Sequence, residues 1–400
     1  MREVYIVDAV RTPIGKYKGA LKSIRPDDLA AIAIKKVIVR NPNVPVEQIE
    51  DVVLGNANQA GEDNRNVARM SALLSGFPIN VGGTTINRLC GSGLDAVNYC
   101  ARAILANEGD IFFAGGTESM TRAPFVMAKP EIDYPRGHLE MFDTTIGWRF
   151  INSRLHEMYG SDSMPQTAEN VAQKYNISRE AQDYFAYESQ IKAKKAIEEN
   201  RFAEEIIPVV YHDKKGNEIQ INDDEHPRAD TTMEKLSKLK PLSENGTVTA
   251  GNASGVNDGA SVLLLMSGEK VRELGIKPLV KYKVSATAGL EPAIMGLGPI
   301  FATKKALSRV GLTVNDLGLI ELNEAFASQA IECIKQLELN NDIVNVNGGA
   351  IAFGHPLGAS GARILTTLIY EMKKRNVKYG LATMCIGVGQ GIATIVENVD

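Results

Sequence analysis

The chain has 400 residues, of which 44% are hydrophobic, and a formal net charge of −4. This length predicts two or three domains, and the apolar fraction is sufficient for sizeable cores. Because a mildly acidic chain has no long-range attraction for nucleic acid or for an acidic membrane surface, we expect neither as a partner. No run of about 18 apolar residues is present, so no membrane-spanning helix is predicted.

The cysteines and the chain ends indicate the compartment. Cys90, Cys100, Cys333 and Cys385 are widely spaced and form no C-x-x-C pair. They predict reduced thiols, with neither a disulfide framework nor a metal site. The first residues lack the apolar core of a secretory signal, and the last residues match no peroxisomal address. We therefore expect a cytoplasmic protein.

In chain order, short apolar runs rich in β-branched residues alternate with helical patterns. The strand-like runs cover residues 4–10, 51–57, 110–116, 279–289, 318–326 and 379–387. Helical patterns lie between them, for example at residues 27–40, 96–107 and 361–375. This alternation predicts an α/β fold in which most strands are parallel and buried.

The two ends of the chain resemble distant copies of each other. Three landmarks recur in one order: a strand that ends in Asn, a small-Ser-Gly opening of a helix, and a strand that runs into a loop. They occur at Asn56 and Asn323, at Ser92 and Ser360, and at Gly116 and Cys385. The members of the three pairs are 267, 268 and 269 residues apart. Such regular spacing favours two duplicated halves.

The middle of the chain differs in composition from both ends. Residues 121–249 hold four of the five histidines and are enriched in Pro and in charged residues. They predict an inserted loop domain that covers the halves or helps to join subunits. The predicted N-terminal half comprises residues 1–120 with 250–272, and the predicted C-terminal half comprises residues 273–400.

Cys90 stands directly before Gly91-Ser92-Gly93, where a helix is predicted to begin. A sulfur at a helix N-terminus faces unpaired backbone N–H groups and the positive end of the helix dipole. Such a position lowers the pKa of a thiol and populates the nucleophilic thiolate. The alternative is a buried packing cysteine, and a nearby base is needed to choose between them.

His355 is a candidate for that base. It lies in VNGGAIAFGHPLGASGAR, surrounded by small residues, whereas the other four histidines lie in the polar middle region. An imidazole held in this way can take a proton from a cysteine thiol. The alternative is a phosphate-binding glycine loop, but the stretch lacks the Lys-Ser/Thr of a P-loop and the spacing G-x-G-x-x-G.

Two further candidates lie near strand ends in the C-terminal part. Cys385 ends a predicted strand and is followed by Gly387, Gly389 and Gly391, which again thin the backbone beside a sulfur. Asn323 lies at a strand-to-helix corner, where it can hold a water or donate a hydrogen bond to an oxyanion. A helix N-cap is the alternative role for Asn323.

These stretches resemble the thiolase family along essentially the whole chain. The resemblance is carried, in the order of the family, by INRLCGSGLDAV, AGGTESMTRAP, TAGNASGVNDGA, ELNEAFA, GGAIAFGHPLGASGAR and TMCIGVGQG. GEDNRNVARM, DTTIGWRF and DSMPQTAENVA are similar to the degradative branch, which contains 3-ketoacyl-CoA and 3-oxoadipyl-CoA thiolases. The biosynthetic enzymes usually carry His-Met-Gly where this chain has Ser163-Met164-Pro165.

The resemblance implies a thiolase fold of duplicated α/β halves in alternating helix and sheet layers, with an inserted loop domain. It also implies that Cys90 accepts the acyl group and that His355 activates it. His355 and a water held by Asn323 would form one oxyanion site, and Cys385 would be the acid/base. The backbone N–H groups of Cys90 and Gly387 would form the second oxyanion site.

The resemblance further implies coenzyme A as a co-substrate, with no tightly bound cofactor. The implied coenzyme A contacts are Met164, Arg228, Ser254, Met295 and Phe326. The implied partners are acyl-CoA and CoA, and the implied assembly is a homodimer or a homotetramer. The implied reaction is cleavage of a 3-oxoacyl-CoA by CoA to acetyl-CoA and a shortened acyl-CoA.

Several alternatives remain open from the sequence. The nearest is condensation of two acetyl-CoA molecules to acetoacetyl-CoA, and another is a non-catalytic acyl-CoA or lipid carrier. A ketoacyl synthase would be expected to have a second His in place of Asn323. A nicotinamide oxidoreductase is disfavoured because no Rossmann fingerprint follows the first strand. Arg149 is a candidate partner for a substrate carboxylate because it lies in DTTIGWRF.

Overall fold

The computed structural model describes residues 2–213 and 215–399. Its strands in chain order are β1 Val4–Arg11, β2 Gly15–Lys16, β3 Asp51–Gly55, β4 Gly82–Ile86, β5 Ile111–Ser119, β6 Phe125–Val126, β7 Phe142–Asp143, β8 Val209–His212, β9 Glu218–Ile221, β10 Asn257–Ser267, β11 Val280–Gly289, β12 Leu319–Leu322, β13 Tyr379–Ile386 and β14 Gln390–Asn398. Its α-helices are α1 Pro26–Arg40, α2 Val67–Leu74, α3 Ser92–Leu105, α4 Ser153–Tyr159, α5 Met164–Lys174, α6 Arg179–Glu198, α7 Met233–Ser237, α8 Gly268–Leu274, α9 Gly298–Val310, α10 Ala327–Gln336, α11 Ala350–Phe353 and α12 Leu357–Arg375.

Ten strands form one sheet in the order β12-β13-β14-β11-β1-β10-β5-β3-β4, with β2 paired to β10. Two residues of β1, Tyr5 and Ile6, join the parts of the sheet by pairing with Lys281 and Val280 of β11. From this joint outward, β1-β10-β5-β3 on one side corresponds to β11-β14-β13-β12 on the other. The sheet is therefore built from two similar arrangements that meet at a short seam.

The prediction of a mostly parallel sheet is wrong, although the α/β class is correct. Only β3–β4, β3–β5 and β12–β13 are parallel among the pairs in this sheet. The other pairs are antiparallel. Every residue of β5 and β10 is buried, because helices cover both faces of the sheet. Antiparallel strands buried on both faces lose their polar alternation and so look like parallel strands in the sequence.

Strand register identifies which residues occupy equivalent places in the two arrangements. Gly55 of β3 lies beside Gly116 of β5, and Leu322 of β12 lies beside Thr383 of β13. Both members of the second pair lie 267 residues beyond the first pair. Asn56 is therefore equivalent to Asn323, as predicted. The predicted equivalence of Gly116 with Cys385 is wrong by two residues, because Cys385 occupies the place of Glu118.

Helices α3 and α12 lie together in the interior. Their apolar residues share one core cluster with strands of both parts of the sheet. A Cβ atom added to Gly93 would lie 2.6 Å from the carbonyl oxygen of Gly358, and one added to Gly361 would lie 2.6 Å from Cβ of Leu94. The small residues at the two helix openings thus allow close helix packing.

Two outer layers complete the packing. Helices α1 and α2 cover the outer face of the β1-side strands, and α9 and α10 cover that of the β11-side strands. Residues 121–249 contain regular structure, including the two-stranded sheets β6–β7 and β8–β9 and the long helix α6. Among the described residues, no helix is long and apolar enough to cross a bilayer.

Candidate active site

Cys90 precedes the first turn of α3 and is half-buried. Ser92 fixes the loop before it, because its hydroxyl donates to the carbonyl of Leu89 at 2.6 Å and accepts from the N–H of Arg88 at 2.8 Å. Leu89 has φ of +48°, which is unfavourable for a bulky side chain. The fold therefore holds this cysteine at a helix opening in a strained, tightly bonded loop.

The predicted lowering of the thiol pKa is wrong for Cys90. Burial raises its pKa to about 11, although a hydrogen bond from the backbone N–H of Gly387 lowers it. The desolvation of a thiolate outweighs the helix terminus and this donor. Cys90 is consequently a protonated thiol at neutral pH in this state, and it needs a base before it can act as a nucleophile.

His355 has the protonation state and the free nitrogen that a base requires. Its Nδ1 lies 2.6 Å from Oγ of Ser360, whose hydroxyl donates to the carbonyl of Pro356 at 3.1 Å. Nδ1 therefore carries the hydrogen and donates it, which leaves a lone pair on Nε2. Nε2 is buried and has no hydrogen-bond partner within the described part of the chain. Burial, with the nearby charge of Arg363, lowers the pKa of His355 to about 3, so the imidazole is neutral.

Two polar residues that the sequence analysis missed hold the backbone around His355. The side-chain oxygen of Asn257 accepts from the N–H of His355 at 3.0 Å. The carboxylate of Glu118 accepts from the N–H of Gly358 at 2.8 Å. Both lie inside quoted motifs, at fully buried strand positions that would otherwise be apolar. A polar residue within an apolar strand was the signal that could have identified them.

Cys385 lies near the end of β13 and is buried. Burial raises its pKa well above the ordinary range, and the charge of an ionised Cys90 raises it further. The two cysteines lie close together in the fold, since a Cβ atom added to Gly91, which follows Cys90, would lie 2.6 Å from the side chain of Ile386, which follows Cys385. The turn that follows contains Val388 at φ +63°, a strained conformation for a β-branched residue. Cys385 is a protonated thiol suited to donate a proton.

Asn323 follows β12 directly, and its N–H donates to the carbonyl of Thr383 at 3.0 Å. The residue is 1% exposed, and neither its side-chain oxygen nor its side-chain nitrogen has a partner among the residues described. It is not an N-cap, because α10 begins at Ala327. A buried amide without partners is costly, which marks it as a group that faces a ligand or water.

The predicted coenzyme A contacts are brought together except for one. Met164, Met295 and Phe326 pack with Cys385 in one apolar cluster. Ser254 lies beside this cluster, since its N–H donates to the carbonyl of Ala325 at 2.9 Å. Arg228 lies outside the cluster, and its backbone N–H donates to the side chain of Gln190.

The other two cysteines have a structural role. Cys100 and Cys333 are buried in the apolar cores, which is the packing role. All four cysteines are free thiols. Within residues 2–213 and 215–399, no group of three or more His, Cys, Asp or Glu residues could hold a metal ion.

Known proteins that resemble this chain over its whole length include thiolases. Residues 4–269 match the family model for the thiolase N-terminal domain, and residues 276–398 match that for the thiolase C-terminal domain. The chain is 57% identical to the 3-oxoadipyl-CoA/3-oxo-5,6-dehydrosuberyl-CoA thiolase of Escherichia coli K12, covering 100% of both chains. It is 46% identical to an acetyl-CoA acetyltransferase of Chromobacterium violaceum, covering 99% of both.

A solved structure supports the same fold. The structure of human mitochondrial 3-ketoacyl-CoA thiolase in complex with CoA superposes with a TM-score of 0.92 at 38% identity. The match covers 100% of this chain and 98% of the human one. The predicted resemblance and the predicted fold class are confirmed by these matches.

Proposed function

Because the chain belongs to the thiolase family and is an acyltransferase, we propose that its substrate is 3-oxoadipyl-CoA. Coenzyme A would cleave this substrate to acetyl-CoA and succinyl-CoA. The observation that carries the proposal is the pair of thiols, Cys90 and Cys385, that the packing of Gly91 against Ile386 brings close together, in a chain 57% identical to a 3-oxoadipyl-CoA thiolase. Relatives named beta-ketoadipyl-CoA thiolase in Acinetobacter baylyi support the same substrate.

The first half-reaction forms an acyl-cysteine. Nε2 of His355 accepts the proton of Cys90, and the mutual attraction of imidazolium and thiolate offsets part of the cost of charging both. The thiolate attacks the 3-oxo carbon, and the carbon–carbon bond between C2 and C3 breaks. The electron pair leaves on acetyl-CoA as an enolate, which takes a proton at C2 from Cys385. A succinyl thioester remains on Cys90.

The second half-reaction returns both cysteines to their starting state. The Cys385 thiolate takes the proton of the coenzyme A thiol, and the resulting CoA thiolate attacks the succinyl carbonyl. Succinyl-CoA leaves as Cys90 regains its proton from His355. One thioester replaces another of similar energy in this step. A ping-pong mechanism follows from the sequence of events.

The two half-reactions place negative charge on different oxygen atoms. His355 and a water held by the free amide of Asn323 stabilise one oxyanion, and the N–H groups of Cys90 and Gly387 stabilise the other. The buried, unpartnered amide supports the first site. The backbone N–H of Gly387, which lowers the pKa of Cys90, supports the second.

The apolar cluster around Cys385 supports binding of coenzyme A as a co-substrate. Met164, Met295 and Phe326 would contact the pantetheine arm, with Ser254 at its edge. Arg228, whose backbone N–H donates to Gln190 and which has no ion pair among the described residues, would bind a phosphate of the nucleotide end. Neither contact implies tight binding, because the molecule must leave after each turnover.

The competing function within the same chemistry is condensation of two acetyl-CoA molecules. The relative named acetyl-CoA acetyltransferase favours it. Steady-state assays with 3-oxoadipyl-CoA, 3-oxohexanoyl-CoA and acetoacetyl-CoA separate the two functions. We expect the highest kcat/KM for 3-oxoadipyl-CoA. A kcat/KM for acetoacetyl-CoA that equals or exceeds it would overturn the assignment of the substrate.

A non-catalytic acyl-CoA carrier is tested by mass spectrometry. Incubation with acetyl-CoA should add one acetyl group to Cys90 of a thiolase. A carrier would bind acetyl-CoA and leave the mass of the protein unchanged. The neutral imidazole of His355 and the unpartnered amide of Asn323, two groups that a carrier would not need, favour the enzyme.

We also propose the assembly, the compartment and the limits of the units. The edge strand β4 is partly exposed and lacks a partner on its outer side in the described chain, which favours a homodimer through strand pairing. Exposed apolar residues within the segment 125–159 favour a second contact and a homotetramer. Free thiols favour the reducing cytoplasm. The proposed halves are residues 1–120 with 250–272 and residues 273–400, with residues 121–249 inserted. Sedimentation of the purified protein tests the assembly.

A further inference from the structure

We propose that Arg149 binds the distal carboxylate of the substrate and so selects 3-oxoadipyl-CoA over uncharged 3-oxoacyl-CoA molecules of the same length. This inference rests on the proposed function. It assigns a specificity role to a residue outside the machinery that breaks the carbon–carbon bond.

The segment that carries Arg149 is fixed at both of its ends. The side-chain nitrogen of Asn58 donates to the carbonyl and the hydroxyl of Thr144, at 3.0 and 3.1 Å. Nη2 of Arg149 donates to the backbone carbonyl of Asn58 at 3.1 Å. The indole N–H of Trp148 donates to the carbonyl of Asp162 at 3.1 Å. The guanidinium is therefore held in place rather than free in solvent.

One anchor of this segment lies beside the loop that carries the nucleophile. The N–H of Asn58 donates to the carboxylate of Glu118, whose charge is close enough to Cys90 to raise the pKa of that thiol. The side chain of Asn87, three residues before Cys90, donates to the carbonyl of Ala57. Asn58 thus belongs to the wall on one side of Cys90.

The other anchor, Asp162, also lies close to this loop. Asp162 is two residues before Met164, at the start of α5. A Cβ atom added to Gly387 would lie 3.3 Å from Leu89 and 3.8 Å from the sulfur of Met164. Because Leu89 precedes Cys90 directly, both anchors of segment 144–149 lie close to the loop that carries the nucleophile. The hydrogen bond from Arg149 to Asn58 holds the guanidinium on the Asn58 side of that loop, where the distal carboxylate would lie.

The charge of Arg149 is available to a ligand, since no carboxylate in the described part of the chain pairs with it. Arg88 and Arg122, which lie nearby, pair with Asp95 and Glu62. Arg149 makes no ion pair with any residue in 2–213 or 215–399, and only one of its N–H groups has a partner there. A guanidinium offers five N–H donors in a planar fork that matches a carboxylate. The half-buried position strengthens such a contact relative to one in bulk water.

The chemistry of the acyl-enzyme fits this arrangement. In a succinyl group on Cys90, two methylenes separate the free carboxylate from the thioester carbonyl, so the charge stays close to the nucleophile in both half-reactions. The uncharged analogue 3-oxohexanoyl-CoA has the same number of acyl carbons and ends in a methyl group. Its methyl group would leave the guanidinium without a partner, and binding of the analogue would gain nothing from Arg149.

The test compares Arg149→Met with the wild type on these two substrates. A charge-assisted, bidentate contact predicts a fall of about 10- to 100-fold in kcat/KM for 3-oxoadipyl-CoA. The kcat/KM for 3-oxohexanoyl-CoA should stay unchanged or rise, and this serves as the control for folding. Arg149→Lys should keep part of the preference, because it keeps the charge and loses the fork. Arg154→Met, an exposed cation on the neighbouring helix α4, is the matched control and should change neither value.

The outcomes distinguish this inference from the proposed function. Equal losses on both substrates, or an unchanged ratio of the two kcat/KM values in Arg149→Met, would overturn the role of Arg149 while the thiolase reaction stands. A wild-type enzyme that does not cleave 3-oxoadipyl-CoA would instead overturn the proposed substrate.

Discussion

Cys385 is the second-last residue of strand β13, and Glu118 holds the same place in the equivalent strand β5. Next to them lie the equivalent residues Asn323 and Asn56. The amide of Asn56 is fully used, since it donates to the carbonyl of Thr117 and to Glu118 and accepts from the N–H of Gln59. The amide of Asn323 is equally buried and has no partner among the described residues. At the same place in the fold, the Asn amide has all its hydrogen-bond partners in one arrangement and none, within the described chain, in the other.

The carboxylate of Glu118 shows the structural effect of these hydrogen bonds. It accepts from the N–H groups of Ala57, Asn58 and Gly358, so it ties the loop after β3 to the beginning of α12. Burial raises its pKa to about 7 in spite of these donors. The Glu118 end therefore serves as a strut for the loop that carries His355. The comparison shows that, in a duplicated fold, one strand end can carry reactive groups such as Cys385 while the equivalent strand end, at Glu118, fixes the position of the active-site loops.

Replacement of the nucleophile should have the largest effect. Cys90→Ser keeps the shape of the site but supplies a hydroxyl that a neutral imidazole cannot readily ionise. We expect turnover to fall by at least about 10⁴-fold, with no added acyl mass after incubation with acyl-CoA. Acylation of any other residue in this variant would show that Cys90 is not the residue that accepts the acyl group.

Cys385→Ser and Glu118→Gln should fail in different ways although they alter equivalent places. The first variant should still form the acyl-enzyme from acetyl-CoA, while exchange of the α-protons of acetyl-CoA with deuterated water falls by about 10²–10⁴-fold. Glu118→Gln, which disturbs the strut, should lower both rates by a similar factor. Mass spectrometry and proton NMR measure the two rates. Equal loss of both rates in Cys385→Ser would contradict the division of labour.

The matched variants Asn323→Leu and Asn56→Leu test the difference between the two equivalent amides directly. Asn56→Leu leaves several buried groups unpaired, which predicts a loss of about 1–3 kcal/mol in the free energy of unfolding. Asn323→Leu removes an amide without partners, so stability should not fall, but turnover should fall about 100-fold or more with the lost oxyanion donor. Urea unfolding and steady-state kinetics give both values. A stability loss in Asn323→Leu equal to that in Asn56→Leu would show that this amide is structural.

The fold was predictable from the sequence where local pattern decides it. The strand–helix alternation and the spacing of the Asn and Ser landmarks predicted the class and the two similar arrangements. Strand direction was not predictable, because burial on both faces removes the alternation that distinguishes antiparallel strands. The equivalence of Cys385 with Glu118 could be found only from the strand register, because a thiol and a carboxylate have no similarity that a sequence comparison could detect.

The site was predictable in its positions and not in its electrostatics. Small residues around Cys90 and His355 predicted that both lie at helix openings. The pKa of Cys90 was predicted in the wrong direction, because desolvation depends on the whole surrounding fold and a local motif shows only the helix terminus. Asn257 and Glu118 were missed because they act through the backbone of residues far away in sequence.

Acidification should reveal the buried neutral imidazole through stability. The folded state holds the pKa of His355 near 3, below the ordinary value of about 6.5. Below pH 6.5 the unfolded chain binds a proton that the folded chain does not, so stability present at neutral pH is lost as the pH falls toward 3, by up to about 1.4 kcal/mol per pH unit. His355→Gln lacks this proton. Urea unfolding between pH 7 and pH 5 should therefore show a smaller loss in the variant than in the wild type. Parallel losses would mean that His355 titrates normally in the folded state and that burial does not hold its imidazole neutral.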